Sequence, residues 1–218
     1  MTVGSILLSA ASVLLLLGIG QRMLDKMHLS DRAALVIIAS MFVGGLLPDI
    51  DFGLVRLNIG GAVIPLAVCV YLFVRAQGNE KVHALLGAVV TSGVIYLLGR
   101  VMPDEPERIW IDPVYICGLA GGLVGYIFGR SRRGAFISGV MGVLLSDMIN
   151  AIVVWSAGTA QTLRLGGAGI FDTAVISGLS AVLLAELIGE SLERVARARG
   201  VEADRDRVHQ PRKEERND

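Results

Sequence analysis

Apolar residues in this chain come in runs about as long as a lipid bilayer is thick. Seven are readable: Val3–Gly20, Ala33–Leu47, Ile59–Val74, Val82–Gly99, Val114–Phe128, Ala135–Trp155 and Gly169–Ala185. A helix rises 1.5 Å per residue, so a hydrocarbon core of about 30 Å takes about 20 residues, with 17–25 the usual range. Composition points the same way. The chain is 53% hydrophobic and 18% charged, whereas ordinary soluble domains carry about 25% charged residues. The runs predict an all-α integral membrane bundle of about seven transmembrane helices over residues 1–190. A charged tail follows over 191–218, mixing both signs without an apolar stripe after Val201, and reads as solvated and largely disordered.

Lys and Arg give the predicted direction. Sixteen of the twenty fall after spans 1, 3 and 5 and in the tail; only Arg56, Arg100, Arg108 and Arg164 fall on the other side. The positive-inside rule puts the sixteen in the cytoplasm. The expected location is the cytoplasmic membrane of a prokaryote, with the N-terminus outside and the C-terminus inside, as an odd span count requires. The first run is preceded by "MTVGS", which has no basic residue, so it reads as an anchor and not as a cleaved leader.

In this topology spans 2–3, 4–5 and 6–7 are three hairpins of the same orientation behind the anchor helix. Each outgoing helix ends near a carboxylate: Asp49, Asp104 or Asp147. The first and third hairpins also share Arg-Leu (Arg56-Leu57 and Arg164-Leu165) and Gly-Gly-Ala (Gly60-Gly61-Ala62 and Gly166-Gly167-Ala168). The shared order suggests an internal repeat, and the glycines fall where the chain turns back into an apolar run. Glycine permits close backbone approach. A helix start offers free N–H groups and a positive dipole end, where an acidic group can dock.

The outer side holds eight acids: Asp49, Asp51, Asp104, Glu105, Glu107, Asp112, Asp147 and Asp172. Two differ from loop residues in water. Asp147 lies deep in the sixth run between "VLL" and "AIVVW", and Asp172 lies just inside the seventh. A carboxylate at the middle of a membrane helix costs at least about 2.5–3.5 kcal/mol on insertion scales, so it faces protein, a cation or water. Asn150 lies three residues on and shares the helix face of Asp147. Three readings compete. The acids Asp49, Asp147 and Asp172, with Asn150, bind or pass a small cation or solute, and Arg56 and Arg164 act as counter-charges. Alternatively Asp147 and Asp172 share a proton and activate water as an intramembrane aspartyl protease dyad. Or the acids pair with Arg56 and Arg164 and only fix helix ends. "GGAGIFD" is loosely similar to the Gly-x-Gly-Asp motif of presenilin-like and prepilin peptidases. It differs in spacing, with Phe171 directly before the aspartate and Gly169 three before.

No nucleotide loop, His/Cys metal spacing or Gly-x-Ser-x-Gly is present, so no metal or cofactor is expected. Cys69 and Cys117 lie inside apolar runs and read as small core residues. The balancing acids of the tail argue against a nucleic-acid partner; the expected partner is the bilayer. The stripe Gly118, Gly122, Gly125, Gly129 either packs within the bundle or forms the seam of a homo-oligomer.

At "LNIGGAVIPL" (Leu57–Leu66) and "LGGAGIFDTAVISGLSAVLLA" (Leu165–Ala185) the chain resembles a prokaryotic family of polytopic membrane proteins catalogued as domain of unknown function 1614. The likeness covers about residues 30–188 and rests on the Gly-Gly entry to a Pro-containing span and the Gly-Gly-Ala-Gly-x-Phe-Asp entry to the last one. It implies an integral membrane protein of bacteria or archaea with no settled activity. Asp172 falls in the matching motif; Asp147 rests on the physical argument alone.

Overall fold

A computed structural model describes residues 31–102, 112–189 and 191. The first apolar run, the outer segment holding Asp104, Glu105, Glu107 and Arg108, and the charged tail beyond residue 191 lie outside the described residues. The chain divides into two compact units, residues 1–185 and 186–218, and the account below concerns the first.

The unit is mostly helical, as expected. Helix α1 spans Asp31–Leu46, and Pro48 follows it. A single π-turn, Ile59–Val63, leads into α2, Ile64–Arg75. Helix α3 is Gly78–Val101, α4 is Pro113–Gly129 and α5 is Arg132–Ser156. Helix α6 is Thr173–Gly189. Local chemistry sets the ends. The Gln77 N–H donates to the Glu80 carboxylate at the start of α3. Asp112 accepts from the Val114 N–H and Pro113 opens α4. Ser131 Oγ accepts from the Gly134 N–H at the start of α5. Side chains of these types fill the orphan donors of a helix start. Arg130 takes a left-handed conformation (φ 57°), which lets α4 turn into α5 with almost no loop.

Two helices, α3 with 24 residues and α5 with 25, are long and apolar enough to cross a membrane. The other described apolar helices have 10–17 residues. Among the described residues, two of the expected spans are therefore of full crossing length and the others are shorter. The runs from Ile59 and Gly169 are shortened because their first residues leave α geometry, in a π-turn and a 3₁₀ turn. Large apolar side chains are exposed in stripes along the helices. On α3 they are Val82, Leu85, Leu86, Val89 and Leu97; on α4 they are Leu119, Leu123 and Ile127.

Sequence reasoning did not anticipate a sheet. Strand β1 (Ile50–Asp51) pairs antiparallel with β2 (Val55–Leu57), and β2 pairs parallel with β3 (Leu163–Leu165). The register sets Arg56 opposite Arg164 and Leu57 opposite Leu165. The two Arg-Leu words thus lie side by side. Their glycines meet as well: a Cβ on Gly61 would come within 2.7 Å of the Gly169 carbonyl oxygen, and one on Gly60 within 2.8 Å of Gly45 Cα.

The stripe on α4 is used inside the chain. Gly118, Gly121, Gly122, Gly125 and Gly129 are buried. They face Ile176, Ser177 and Ser180 on α6 and Ala135 and Gly139 on α5. The core beside it joins Leu72 of α2, Val140 and Val143 of α5 and Val175 and Val182 of α6.

Gly61→Ala should lower the thermal midpoint of the purified chain, because overpacking against fixed backbone costs about 1–3 kcal/mol. Gly93→Ala is the control. Gly93 is exposed in α3 with nothing near its Cβ position, so alanine should raise stability by about 0.5–1 kcal/mol. Equal midpoints for the two variants would mean that the Gly61 contact is not tight.

Candidate functional site

The acids expected on the outer side that fall among the described residues, Asp49, Asp51, Asp112, Asp147 and Asp172, have different surroundings. Asp49 follows α1 and meets two donors. Arg164 donates to Oδ2 at 2.8 Å, and Asn58 Nδ2 donates to Oδ1 at 3.0 Å. Asn58 is 3% exposed and turns its other side-chain atom inward, where Oδ1 accepts from the Gly61 N–H at 3.0 Å. Its own N–H donates to the Leu165 carbonyl at 3.0 Å. One asparagine thus caps the π-turn, extends the β2–β3 pairing and holds Asp49. An acidic group does reach the Gly-Gly entry as expected, but through Asn58. Sequence reasoning passed over this residue, although an Asn directly before a glycine-rich helix start is a capping signal.

Asp51 is engaged beside it. Its Oδ1 accepts from the Gly53 N–H at 2.7 Å, where φ is +82°, and its Oδ2 accepts from Arg56 Nε at 3.0 Å. Both expected counter-charges therefore have partners, Arg56 on Asp51 and Arg164 on Asp49. Hydrogen bonds from Asn58 and then from Arg164 hold the Asp49 carboxyl below its ordinary value.

Asp172 is the N-cap of α6. Its Oδ1 accepts from the Ala174 N–H at 3.0 Å, its Oδ2 from the Ala168 N–H at 3.5 Å, and its carbonyl from the Ile176 N–H. It lines neither of the two cavities described next.

Asp147 stands apart. Among the described residues nothing hydrogen-bonds to it or forms an ion pair with it. With Asn150 it lines a cavity of about 310 Å³ that also takes Trp155, Gln161, Thr162 and Arg164. The same two residues line a second cavity of about 270 Å³, with Tyr96, Arg100, Cys117, Ser146 and Thr173. Asp147 and Asn150 are thus common to both. In the second cavity Arg100 donates to the Tyr96 hydroxyl at 2.7 Å. Cys117, expected in the core, is only half-buried on this wall, whereas Cys69 is 2% exposed. Arg100, Tyr96 and Cys117 were missed because they are far from Asp147 in sequence and only the α3–α4–α5 packing gathers them, and Gln161 because it reaches the first cavity from the segment between α5 and β3. No group of His, Cys, Asp and Glu among the described residues could hold a metal ion.

Fold and site define a helical bundle whose turns are pinned by hydrogen-bonded carboxylates and in which Asp147, without a hydrogen-bond or ion-pair partner among the described residues, faces two cavities. The chain belongs to the family described as Protein of unknown function (DUF1614), whose model matches residues 18–184. No curated protein matches the chain, and no solved structure does.

Two outcomes are expected. The stability that Asp49 contributes is complete above its ordinary pKa of 3.8 and is lost as pH falls below that, through the lowered folded value. Thermal midpoints of wild type and Asp49→Asn, measured across this range, should therefore converge in acid; a constant gap would show that ionisation is irrelevant. Asp172→Ala should cost about 0.5–2 kcal/mol as a lost N-cap, while Asp172→Asn, an equally good cap, should stay near wild type. A large loss with Asn would point to a role for the charge itself.

Proposed function

We propose that this chain is an integral membrane protein that binds or passes a small cation or polar solute at Asp147. The observation that carries the reading is the division of the acids: Asp49, Asp51 and Asp172 have protein donors, and Asp147, with two cavities beside it, has none. A deep, unpartnered carboxylate beside solvent-sized space is how membrane proteins build solute and ion pathways. The membrane setting is supported by α3 and α5, both of crossing length, and by the exposed apolar stripes of α3 and α4. Patches of that extent are costly in water. The meeting of the Arg-Leu and Gly-Gly words of the first and third hairpins fits a duplicated unit with a site near the repeat contact, as in many transporters. Asn150 supplies a neutral polar partner to the solute, and Asp172 positions α6.

The protease alternative has the two carboxylates within electrostatic reach of each other, but Asp172 lines neither cavity beside Asp147. A dyad needs two carboxylates sharing a proton around one water, and both Asp172 oxygens accept backbone N–H groups. The brace reading accounts for Asp49, Asp51 and Asp172 but leaves Asp147 without a task.

Cys117 offers a test, because it lines an Asp147 cavity while Cys69 is buried. In reconstituted vesicles a hydrophilic methanethiosulfonate should modify Cys117 and spare Cys69. Sodium chloride, compared with choline chloride, should protect Cys117, and Asp147→Asn should remove that protection. A Cys117 that never reacts, or protection that survives Asp147→Asn, would end the proposal.

A further inference from the structure

From Asp147, α5 runs back toward Arg132 with one buried face made of Ser146, Gly142, Gly139, Ser138 and Ala135. Both cavities lie at the Asp147 end. The second ends at Ile95 and Val143, one turn from Asp147. Beyond that floor the helices touch through glycine. A Cβ on Gly142 would collide with the Thr91 side chain of α3, and one on Gly139 would lie 3.0 Å from Ser177 Oγ of α6. Gly121 of α4 joins the same place: a Cβ there would be 2.6 Å from Ser177 Oγ and 3.3 Å from Ile95 Cδ1. Thr91 and Ser177 thus both lie beyond the cavity floor, Thr91 one helical turn before Ile95 on α3 and against Gly142, Ser177 against Gly121 and Gly139.

These two hydroxyls behave unlike their neighbours. Buried Ser and Thr in helices normally return their hydroxyl to a carbonyl three or four residues back. Ser92 donates to the Val89 carbonyl, Ser180 to the Ile176 carbonyl and Ser138 across to the Ala84 carbonyl. Thr91 and Ser177, both 0% exposed, have no hydrogen-bond partner. An unmade buried hydrogen bond is destabilising, and a valine or alanine would pack there without it. Ser177 Oγ sits in the seam against Gly121 and Gly139, whereas Thr91 turns its Cβ and methyl to Gly142 and keeps its hydroxyl buried without a partner.

We infer that Thr91 and Ser177 are the inward steps of a path for a monovalent inorganic cation that enters at Asp147. This rests on the reading of Asp147 as a cation site and narrows it. The seam beyond the floor is closed at van der Waals contact, so anything that passes it needs the helices to separate, and a proton or a bare ion needs far less separation than an organic solute. One carboxylate balances one positive charge. Hydroxyl oxygens, which both donate and accept, can relay a proton or ligate a dehydrated sodium ion. At 1.5 Å per residue, the five residues from Asp147 to Gly142 and the three from there to Gly139 place the steps about 8 and 12 Å from the carboxylate along α5.

The test is flux through the full chain in proteoliposomes, with pyranine trapped inside for protons and radioactive sodium for sodium ions; the two arms tell which cation passes. Thr91→Val and Ser177→Ala should each reduce flux about tenfold or more, the effect of losing a hydrogen bond to a charged group. Neither should lower the thermal midpoint. Thr91→Ser, which keeps the hydroxyl, should restore flux, and Asp147→Asn should abolish it. Wild-type flux in both Thr91→Val and Ser177→Ala would overturn the path and leave the Asp147 site standing. Loss of flux in Thr91→Ser equal to that in Thr91→Val would also overturn it, because shape and not the hydroxyl would then matter. Wild-type flux in Asp147→Asn, or no flux of either cation through the wild-type chain, would overturn the path together with the reading beneath it.

Discussion

Asn58 is a small residue that joins three segments at once. Its amide group binds Asp49 at the end of α1 and caps the π-turn at Gly61. Its backbone N–H continues the strand ladder onto Leu165, and its carbonyl accepts from Ala62 and Val63. Each of those groups would otherwise be a polar atom without a partner near the surface of an apolar bundle, where water is a poor substitute. The sheet, the entry to α2 and the placement of Arg164 beside Asp49 all follow from this one set of hydrogen bonds. No other residue type of this size offers a donor and an acceptor on the same planar group.

The rest of the bundle depends on short side chains. Where α4 meets α5, Gly125 lies against Gly139; where α4 meets α6, Gly122 lies against Ser180. Such contacts give little hydrophobic burial but bring many backbone atoms into dispersion range. Many of the larger apolar residues are then left for the outer surface, as with Leu119 and Leu123. Large apolar residues such as Leu72 and Phe136 share the interior with these small ones, and the apolar outer surface is what the proposed bilayer setting requires. The arrangement also leaves polar groups such as Ser138 and Thr91 in the interior.

Much of this was legible from residue order. Run boundaries fell within a few residues of the helices because helix length and apolar length are set by the same chain geometry. The run Val114–Phe128 became Pro113–Gly129, and Ala135–Trp155 became Arg132–Ser156. Asp147 was legible because a carboxylate between two apolar stretches has few explanations. Asp172 had a plainer one than its motif suggested: an Asp before Thr-Ala at the start of an apolar run is the ordinary sign of an N-cap. The sheet was not legible. Strands of two and three residues carry no periodicity to read, and the partner of Arg56-Leu57 lies in a different hairpin. The cavity walls were hidden for the same reason, since Arg100, Cys117 and Gln161 come together only through tertiary packing.

The Asp49–Arg164 contact joins residues 115 positions apart, and the parallel pairing of β2 with β3 spans a similar separation. Parallel neighbours cannot be made by a tight turn; they wait for the whole intervening chain. During synthesis α1, the β1–β2 hairpin and α2 exist well before β3 does. Until Leu163–Leu165 emerges, β2 presents an unpaired edge and Asn58 lacks its carbonyl partner. Long-range closures of this kind come late and slow the search for the final arrangement. The Asp49–Arg164 contact waits for residues 163–165, with α6 still to follow, and an incomplete chain carries an open strand edge available to any other strand nearby.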